Sequence, residues 1–385
     1  MPMSVLVLHE RWPGATGLSA ANALTRAGVS VHSLAEAETI PLNWQSAALR
    51  AAGRALRGFA VREFNAHLLR RARQLQPDLF LVFKGPFVQA HTLRALRAEG
   101  IRCVNFYPDV SFTVHGPYLE DALREYDWVF TTKTFGIADL RDCLDVHKAS
   151  VLRHAFDPDV HRPTRPTASE EKRFGCDVSF IGTWSPAKQR LLEAVDEGLP
   201  GASVRIFGSQ WERAGRGSGL RRHWAGHAVS GAEYAIAIGC SRVNLGLLSE
   251  RRPGASDGDQ ITSRTFHIPA AGGCLLHQRT NELAEVFREG IDCEAFQGAD
   301  ELIQKIRALL GDETRRRQIA ENGLARVRSA HSWDHRIRQL MEKLRQEGLL
   351  DAGVMKDWPS VPNWEAESSQ PIASTNRIGD RHGTA

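Results

Sequence analysis

No two cysteines in this chain of 385 residues are spaced C-x-x-C, and the six present (Cys103, Cys143, Cys176, Cys240, Cys274, Cys293) fall singly in apolar runs. That excludes a zinc ribbon and a disulfide framework, and the six read as buried core thiols in a reducing compartment. Long hydrophobic runs are missing too, since none approaches the roughly 18 apolar residues of a membrane span. Met1 leads straight into a short strand pattern without a charged, then apolar, leader, so a cytoplasmic protein is expected. Charge of one sign is scarce: 49 Lys and Arg against 45 Asp and Glu leave +4. That is too little for a nucleic-acid coat, so any anion site must be local. The loop 9–17 holds two glycines but no G-x-G-x-x-G, and no acidic residue is read as closing the second strand where a ribose binder would stand. Phosphate-binding G-x-x-x-x-G-K-[ST], nucleophilic G-x-S-x-G and zinc-binding H-E-x-x-H are absent, which weakens the NTPase, serine hydrolase and zinc protease classes. No acidic cluster suggests a metal, and neither metal nor cofactor is expected.

What is present is alternation. A buried-strand run at 4–8 precedes a helical pattern at 18–27, then a strand at 29–34, an Arg-rich helical region at 45–74 and an apolar strand at 78–83. A helix at 92–99 and strands at 101–106, 128–131 and 150–153 follow. Strands alternating with helices imply right-handed crossovers and a parallel sheet covered on both faces. Pro163, Pro166 and the polar stretch 167–173 break the pattern, and a second series restarts at 177–182. Its helices are expected at 188–196, 231–238, 263–271 and 281–288 and its strands at 203–207, 242–245 and 274–277. Three more helices cover 300–310, 313–329 and 333–347. The expected organisation is therefore an α/β first domain over 1–162, a linker over 163–175 and a second Rossmann-like domain over 176–330. A closing helix follows over 331–350, with a polar, dispensable and disordered tail over 351–385. In the Arg-rich region 50–73, an amphipathic helix packed on the sheet with a basic rim is preferred to a weak peripheral membrane face.

Open parallel sheets bind ligands at the carboxyl ends of their strands, so two facing domains would share a cleft. The most patterned segment is 259–276, running Asp-Gln-Ile-Thr-Ser-Arg-Thr-Phe-His-Ile-Pro-Ala-Ala-Gly-Gly-Cys-Leu-Leu, followed by Arg279-Thr280-Asn281-Glu282-Leu283. A polar loop opens a short helix whose free amides suit a phosphate, Arg264 adds a cation, and the small residues let the helix press on the next strand. Arg264 and His267 lie three apart and share a face.

This segment resembles the second half of the GT-B glycosyltransferases, most closely the glycosyl transferase family 1-like and spore maturation CgeB-like group, whose hallmark reads approximately R-x-F-E-x-x-A-x-G-G-x-L-L with a Glu on the next helix. Phe83-Lys84-Gly85, the segment 105–109, the run 152–163, Phe180-Ile181-Gly182-Thr183 and the stretches 320–323 and 331–336 are similar to family features, so the resemblance reaches about residue 345. It implies two facing Rossmann-like domains and transfer of a sugar from a nucleotide-diphospho sugar without a bound metal. The donor side would comprise Gly182, Thr183, Lys188, Asp259, Ser263, Arg264, His267 and Glu282, with Arg264 on the diphosphate. Lys84 and His9 would face the acceptor or cleft, and Asp109 would be the base of an inverting reaction. One departure stands out: His267 occupies the place of the family's Glu, while Asp259 matches the acid eight positions earlier. Two other readings of the fold are a nucleotide-sugar epimerase and a non-catalytic sugar-nucleotide-binding protein.

Overall fold

The computed structural model describes residues 3–38, 40, 47–215, 217–351, 353 and 358–361. The first half runs β1 (Ser4–Leu8), α1 (Thr16–Arg26), β2 (Ser30–Leu34), α2 (Ala47–Leu75), β3 (Leu79–Phe83), α3 (Ala90–Ala98), β4 (Arg102–Tyr107), α4 (Leu119–Glu125), β5 (Trp128–Thr131), α5 (Gly136–Leu144) and β6 (Ala149–Val151). All its strands pair in parallel, in the order β2-β1-β3-β4-β5-β6. Every residue of β3, Leu-Phe-Leu-Val-Phe, is buried, as a central parallel strand covered on both faces requires. Phe80 and Val82 point to the face under α2, α3 and α4, while Leu79, Leu81 and Phe83 point to the face under α1.

The stretch expected to be a polar break is instead α6 (Ala168–Phe174). Its seven residues carry little apolar pattern, but Thr167 and Glu170 form a reciprocal capping box that satisfies the amides at its start. The second half continues with β7 (Cys176–Ile181), α7 (Pro186–Gly198), β8 (Val204–Phe207), α8 (Gly231–Gly239), β9 (Ser241–Gly246), α9 (Ser263–Ala270), β10 (Leu275–Gln278), α10 (Asn281–Val286), β11 (Glu294–Phe296), α11 (Gly298–Gly311), α12 (Glu313–Ala330) and α13 (Trp333–Gln346). Its sheet is also parallel, ordered β11-β10-β9-β7-β8.

After α12 the chain returns to the first sheet. The Phe156 amide donates to His331 O (3.1 Å) and the Trp333 amide donates to Phe156 O (2.9 Å). Trp333, buried, sets its indole edge-on to Phe83 and Phe106, with ring centres 6.0 and 5.5 Å away. Arg26 of α1 donates through Nε and Nη2 to the two oxygens of Asp334 (2.8 and 2.9 Å), a fork that fixes the angle of α13 on α1.

Two further expectations need correction. Cys143 is exposed and Cys240 only partly buried, because both sit at the carboxyl ends of helices rather than within the cores; the other four cysteines are buried. In the tail, Trp358 packs with Leu349 and Leu350 against the core that holds α1 and α13, so the chain is not detached at that point; residues 362–385 lie outside the described residues. In α2 the buried side chains are Val61, Phe64, Leu68 and Ala72, a helical stripe laid on the sheet, whereas Leu56 and Phe59 are exposed. The side chains of Arg50 and Arg54 lie outside the described residues. Among the described residues no helix is long and apolar enough to cross a membrane.

Trp333 fills the space between two aromatic rings of the first sheet, so Trp333→Ala is expected to lower the unfolding free energy by about 3–5 kcal/mol, as other buried aromatic truncations do. Urea titration followed by circular dichroism reads this; a loss below about 1 kcal/mol would show that α13 contributes little to the first core.

Candidate functional site

Two cavities open at the carboxyl ends of the strands, one mainly on the second sheet and one on the first. The first cavity, about 460 Å³, is lined by Gly182 and Thr183 after β7, Gly208 and Ser209 after β8, and Ser263, Arg264 and His267 of α9. Trp12, Pro13, Gly14 and His161 close it from the other side. Two glycines make this geometry possible. Gly208 has φ +145°, and a Cβ there would lie 2.1 Å from Gly182 O, so only glycine lets the two turns meet. A Cβ on Gly182 would come within 2.9 Å of Arg264 Nη1, so its absence leaves room for the guanidinium.

Arg264 is anchored by Nη2 donating to Leu247 O (2.7 Å), and its charge lies 5.4 Å from the centre of the Phe180 ring. Its Nε is buried without a partner, and among the described residues no carboxylate pairs with it. Burial lowers its pKa, yet arginine stays charged at any physiological pH. Lys188, in the first turn of α7, lies beneath the Thr183 turn and donates to Thr183 O (3.3 Å) and Ser249 Oγ (3.0 Å). Burial first, and then the neighbouring Arg264 charge, push its pKa down to about 7. Among the described residues neither Arg264 nor Lys188 forms an ion pair, although the charge of Asp259 acts on both.

His267 belongs to this cavity but is partly committed. Its Nε2 lies 3.0 Å from Ala155 O, its ring stacks on His161 with centres 3.7 Å apart, and Tyr234 meets it edge-on at 5.7 Å. Burial pushes its pKa down to about 3, so it is neutral. With Nε2–H donated to the carbonyl, Nδ1 is left as an acceptor. The glutamate of the resembling family would bring a buried negative charge against the Ala155 carbonyl, which the imidazole instead satisfies.

Asp259 and Glu282, which the resemblance put on the donor side, make their contacts to the first half of the chain. Asp259 Oδ1 lies 2.5 Å from Lys133 Nζ, both side chains almost fully buried. Glu282 accepts from Thr134 Oγ1 (2.5 Å) and lies 4.0 Å from Arg153 Nε. Lys133 and Thr134 follow β5, so these contacts join the two sheets, together with Ser111 Oγ donating to Pro253 O (2.5 Å).

The second cavity, about 500 Å³, is lined by Leu8 to Trp12 after β1, Ala35 to Ala37 after β2, and Phe83, Lys84, Pro86 and Phe87 after β3. It holds His9 and Lys84 as expected from the sequence, and it shares Trp12 with the first cavity. His9 Nε2 lies 2.9 Å from Ser33 Oγ. Lys84, at φ +66°, pairs with Asp109 (2.7 Å), which also meets His115 Nε2 (2.9 Å). Burial opposes the charge on Asp109, but the His115 and Lys84 contacts outweigh it and hold the carboxyl well below its usual range. A carboxylate so stabilised is a poor proton acceptor, which argues against the role in catalysis expected from its place in the sequence.

Four residues were missed or discounted in the sequence. Glu36 stands two residues beyond β2, inside the second cavity, where an acid was read as absent. Trp12 and Lys133 carried no signal beyond their loops. His154 was discounted among fifteen histidines, yet it is buried with Nδ1 unpartnered, and Lys133, His267, Asp109 and Arg264 all bear on its charge. Among the described residues no group of three or more His, Cys, Asp or Glu is placed to hold a metal.

Solved structures with this arrangement span nearly the whole chain. Sucrose-phosphate synthase from Thermosynechococcus elongatus superposes with a TM-score of 0.63 at 14% identity, covering 90% of this chain and 99% of its own. HepE of Anabaena, solved in complex with UDP, gives 0.55 at 12% identity over 89% and 100%. The fold is GT-B. A putative UDP-N-acetylglucosamine 2-epimerase from Listeria monocytogenes, at TM-score 0.51 and 11% identity over 91% and 98%, has the same GT-B arrangement. Residues 186–342, less than half of the chain, match the family described as "Glycosyl transferase-like". That segment contains Lys188 and all of α9. No curated protein matches the sequence.

The Lys133–Asp259 pair yields a test of how the GT-B halves are held. Removing one partner leaves a buried charge, so Lys133→Met alone is expected to cost about 3–5 kcal/mol, whereas Lys133→Met with Asp259→Leu should recover most of the loss. Chemical denaturation of the singles and the double reads the coupling; additive losses would show that the two charges are independently solvated.

Proposed function

We propose that the protein is a glycosyltransferase that moves a sugar from a nucleotide-diphospho sugar to an acceptor. The observation that carries this is the cavity at the start of α9, lined by Ser263 and by Arg264, which has no carboxylate partner, with Lys188, likewise without one, donating to Thr183 O behind the Gly182-Thr183 wall. Two cations without anions are unfavourable unless a ligand supplies the charge, and a diphosphate supplies it both when bound and, with more charge, when leaving. The glycosyl transferase-like segment covers these residues, and HepE, of the same fold, has been solved with UDP and with UDP-glucose. In this reading residues 176–330 hold the donor and residues 1–162 present the acceptor. Ser263 and the Gly182-Thr183 turn line the phosphates, and His267 offers Nδ1 to a donor hydroxyl. Asp259 and Glu282 act through the seam with Lys133 and Thr134 rather than on the sugar. Asp109 holds Lys84 and His115 in place.

Epimerisation on the same fold makes a different demand, since it needs no acceptor. Incubating the protein with nucleotide sugars alone separates the two: interconversion of the free donors would favour the epimerase.

Titration calorimetry with UDP, GDP, ADP and TDP tests the donor site. One of them is expected to bind at one site per chain, and Arg264→Ala should weaken it by about 1.5–3 kcal/mol, the scale of a charge-assisted hydrogen bond. Equal affinity in the variant would remove Arg264 from the site.

The same titration carries a pH signature. Lys188 is about half protonated near pH 7 without ligand, and a nearby anion favours its ammonium form. Binding slightly above neutral pH should therefore take up part of a proton, and affinity should fall as pH rises through about 7. Buffers of differing ionisation enthalpy reveal the uptake, and Lys188→Met should abolish the part due to this residue. Identical uptake in the variant would assign the proton to the ligand instead.

A further inference from the structure

We infer that the cavity on the first sheet takes a cyclic polyol, the ring of an acceptor sugar, with neighbouring hydroxyls donating to Glu36 and one ring face against Trp12. This rests on the glycosyltransferase reading and adds to it the chemical class of the acceptor.

The placement of Glu36 comes first. It follows β2 by two residues, between the small side chains of Ala35 and Ala37, so the turn directs the only acid of that segment to line the cavity into the space at the strand ends. A carboxylate at the end of the second strand of a parallel sheet is where the two hydroxyls of a ribose are held in dinucleotide-binding folds, because its two oxygens match two adjacent hydroxyls. Here the glycines of the loop after β1 do not have the G-x-G-x-x-G spacing that admits a pyrophosphate, so the acid is present without a dinucleotide cradle. A hydroxylated ring that carries no diphosphate fits that combination.

The aromatic wall comes second. Trp12 is 53% exposed, unusually open for so large an apolar side chain, and it borders both cavities. Phe87 supplies further apolar surface beside Glu36. A pyranose presents C–H groups on its faces and hydroxyls around its edge, so a flat apolar surface beside a carboxylate suits it on both counts. A ring stacked on Trp12 would also lie next to the donor cavity, which is where an acceptor has to be.

The electrostatics agree with a hydroxyl ligand. The Phe87 amide donates to Glu36 Oε1 (3.3 Å), which holds the carboxyl at the wall of the cavity. Burial pushes the Glu36 pKa up to about 7, with the Phe87 amide and Lys84 pulling it down and Glu10 pushing it up. Among the described residues, His9 and Arg11 are the other charged or titratable groups lining the cavity. The ionised carboxylate accepts from two hydroxyls and the protonated form accepts less well, so sugar affinity should rise as pH increases through about 7.

The test uses the full chain and saturation-transfer NMR, with the methyl glycosides of glucose, mannose, galactose and N-acetylglucosamine as probes and 4-nitrophenol as a flat aromatic lacking a diol. At least one glycoside is expected to bind, about tenfold to a hundredfold more weakly in Glu36→Gln, with the pH dependence flattened in that variant. Trp12→Ala should weaken the same glycoside and Trp12→Phe should retain it; because the indole is exposed, neither change threatens folding. Nucleoside diphosphate affinity, measured in parallel, should be unchanged in Glu36→Gln. The inference is overturned if no glycoside binds, if Glu36→Gln binds the glycoside as the parent does, or if 4-nitrophenol alone binds. Nucleotide binding without glycoside binding would sink this inference and leave the donor reading standing, whereas absence of both would sink both.

Discussion

A buried ammonium and a buried carboxylate, Lys133 and Asp259, meet at 2.5 Å where the loop after β5 touches the loop before α9. Neither charge could be left there alone, because the cost of stripping one ion of water is several kcal/mol. The pair therefore fixes how the two parallel sheets face each other. It also brings the amino end of α9 opposite the strand ends of the first sheet. Around it, Thr134 donating to Glu282, Ser111 donating to Pro253 O and the Gly231 amide donating to Pro13 O (3.1 Å) complete a polar seam. The cavity of Arg264 and His267 lies along this seam, so its walls come from both halves of the chain.

Inside the seam, charge is distributed unevenly. Asp259 is spent on Lys133, while Arg264 and Lys188 have only carbonyl and hydroxyl partners. A fold selected for stability alone would pair or remove such cations. Such cations suit an anionic ligand, which links the electrostatics of the second half to the proposed donor. His267 fits the same logic. A carboxylate at its position would face the Ala155 carbonyl, whereas a neutral imidazole donates to that carbonyl and stacks on His161. The departure from the resembling family is thus accommodated by two partners in the first half of the chain.

Much of the fold was legible in the sequence because a central parallel strand has to be apolar throughout and short. β1, β3 and β5 appear as nearly unbroken such runs and β7 as one interrupted by Asp177 and Ser179, and the ends of all four fall within a residue or two of those read from the pattern. The omissions are elements with weak periodicity: α4, α5 and α6 span seven to nine residues and β11 only three. α6 depends on its capping box, so local hydrogen bonding overrode a polar composition. In the site, Gly182, Thr183, Ser263, Arg264 and His267 could be grouped because they sit at strand and helix ends of one segment pattern, and the structure puts them around one cavity. Asp259 and Glu282 were placed on the donor, yet their partners lie more than a hundred residues away in sequence, which no local pattern reveals. Glu36 escaped notice for the opposite reason: it lies just past its strand, and only the turn shows that it faces inward.

The most direct test of glycosyl transfer is release of nucleoside diphosphate from UDP-, GDP-, ADP- and TDP-sugars, followed with and without a panel of acceptor sugars. The cation site at α9 and the facing cavity on the first sheet predict release from one donor that accelerates when an acceptor is present and is lost in Arg264→Ala. Release that ignores both the acceptor and the Arg264 substitution, or interconversion of the free nucleotide sugars, would contradict it.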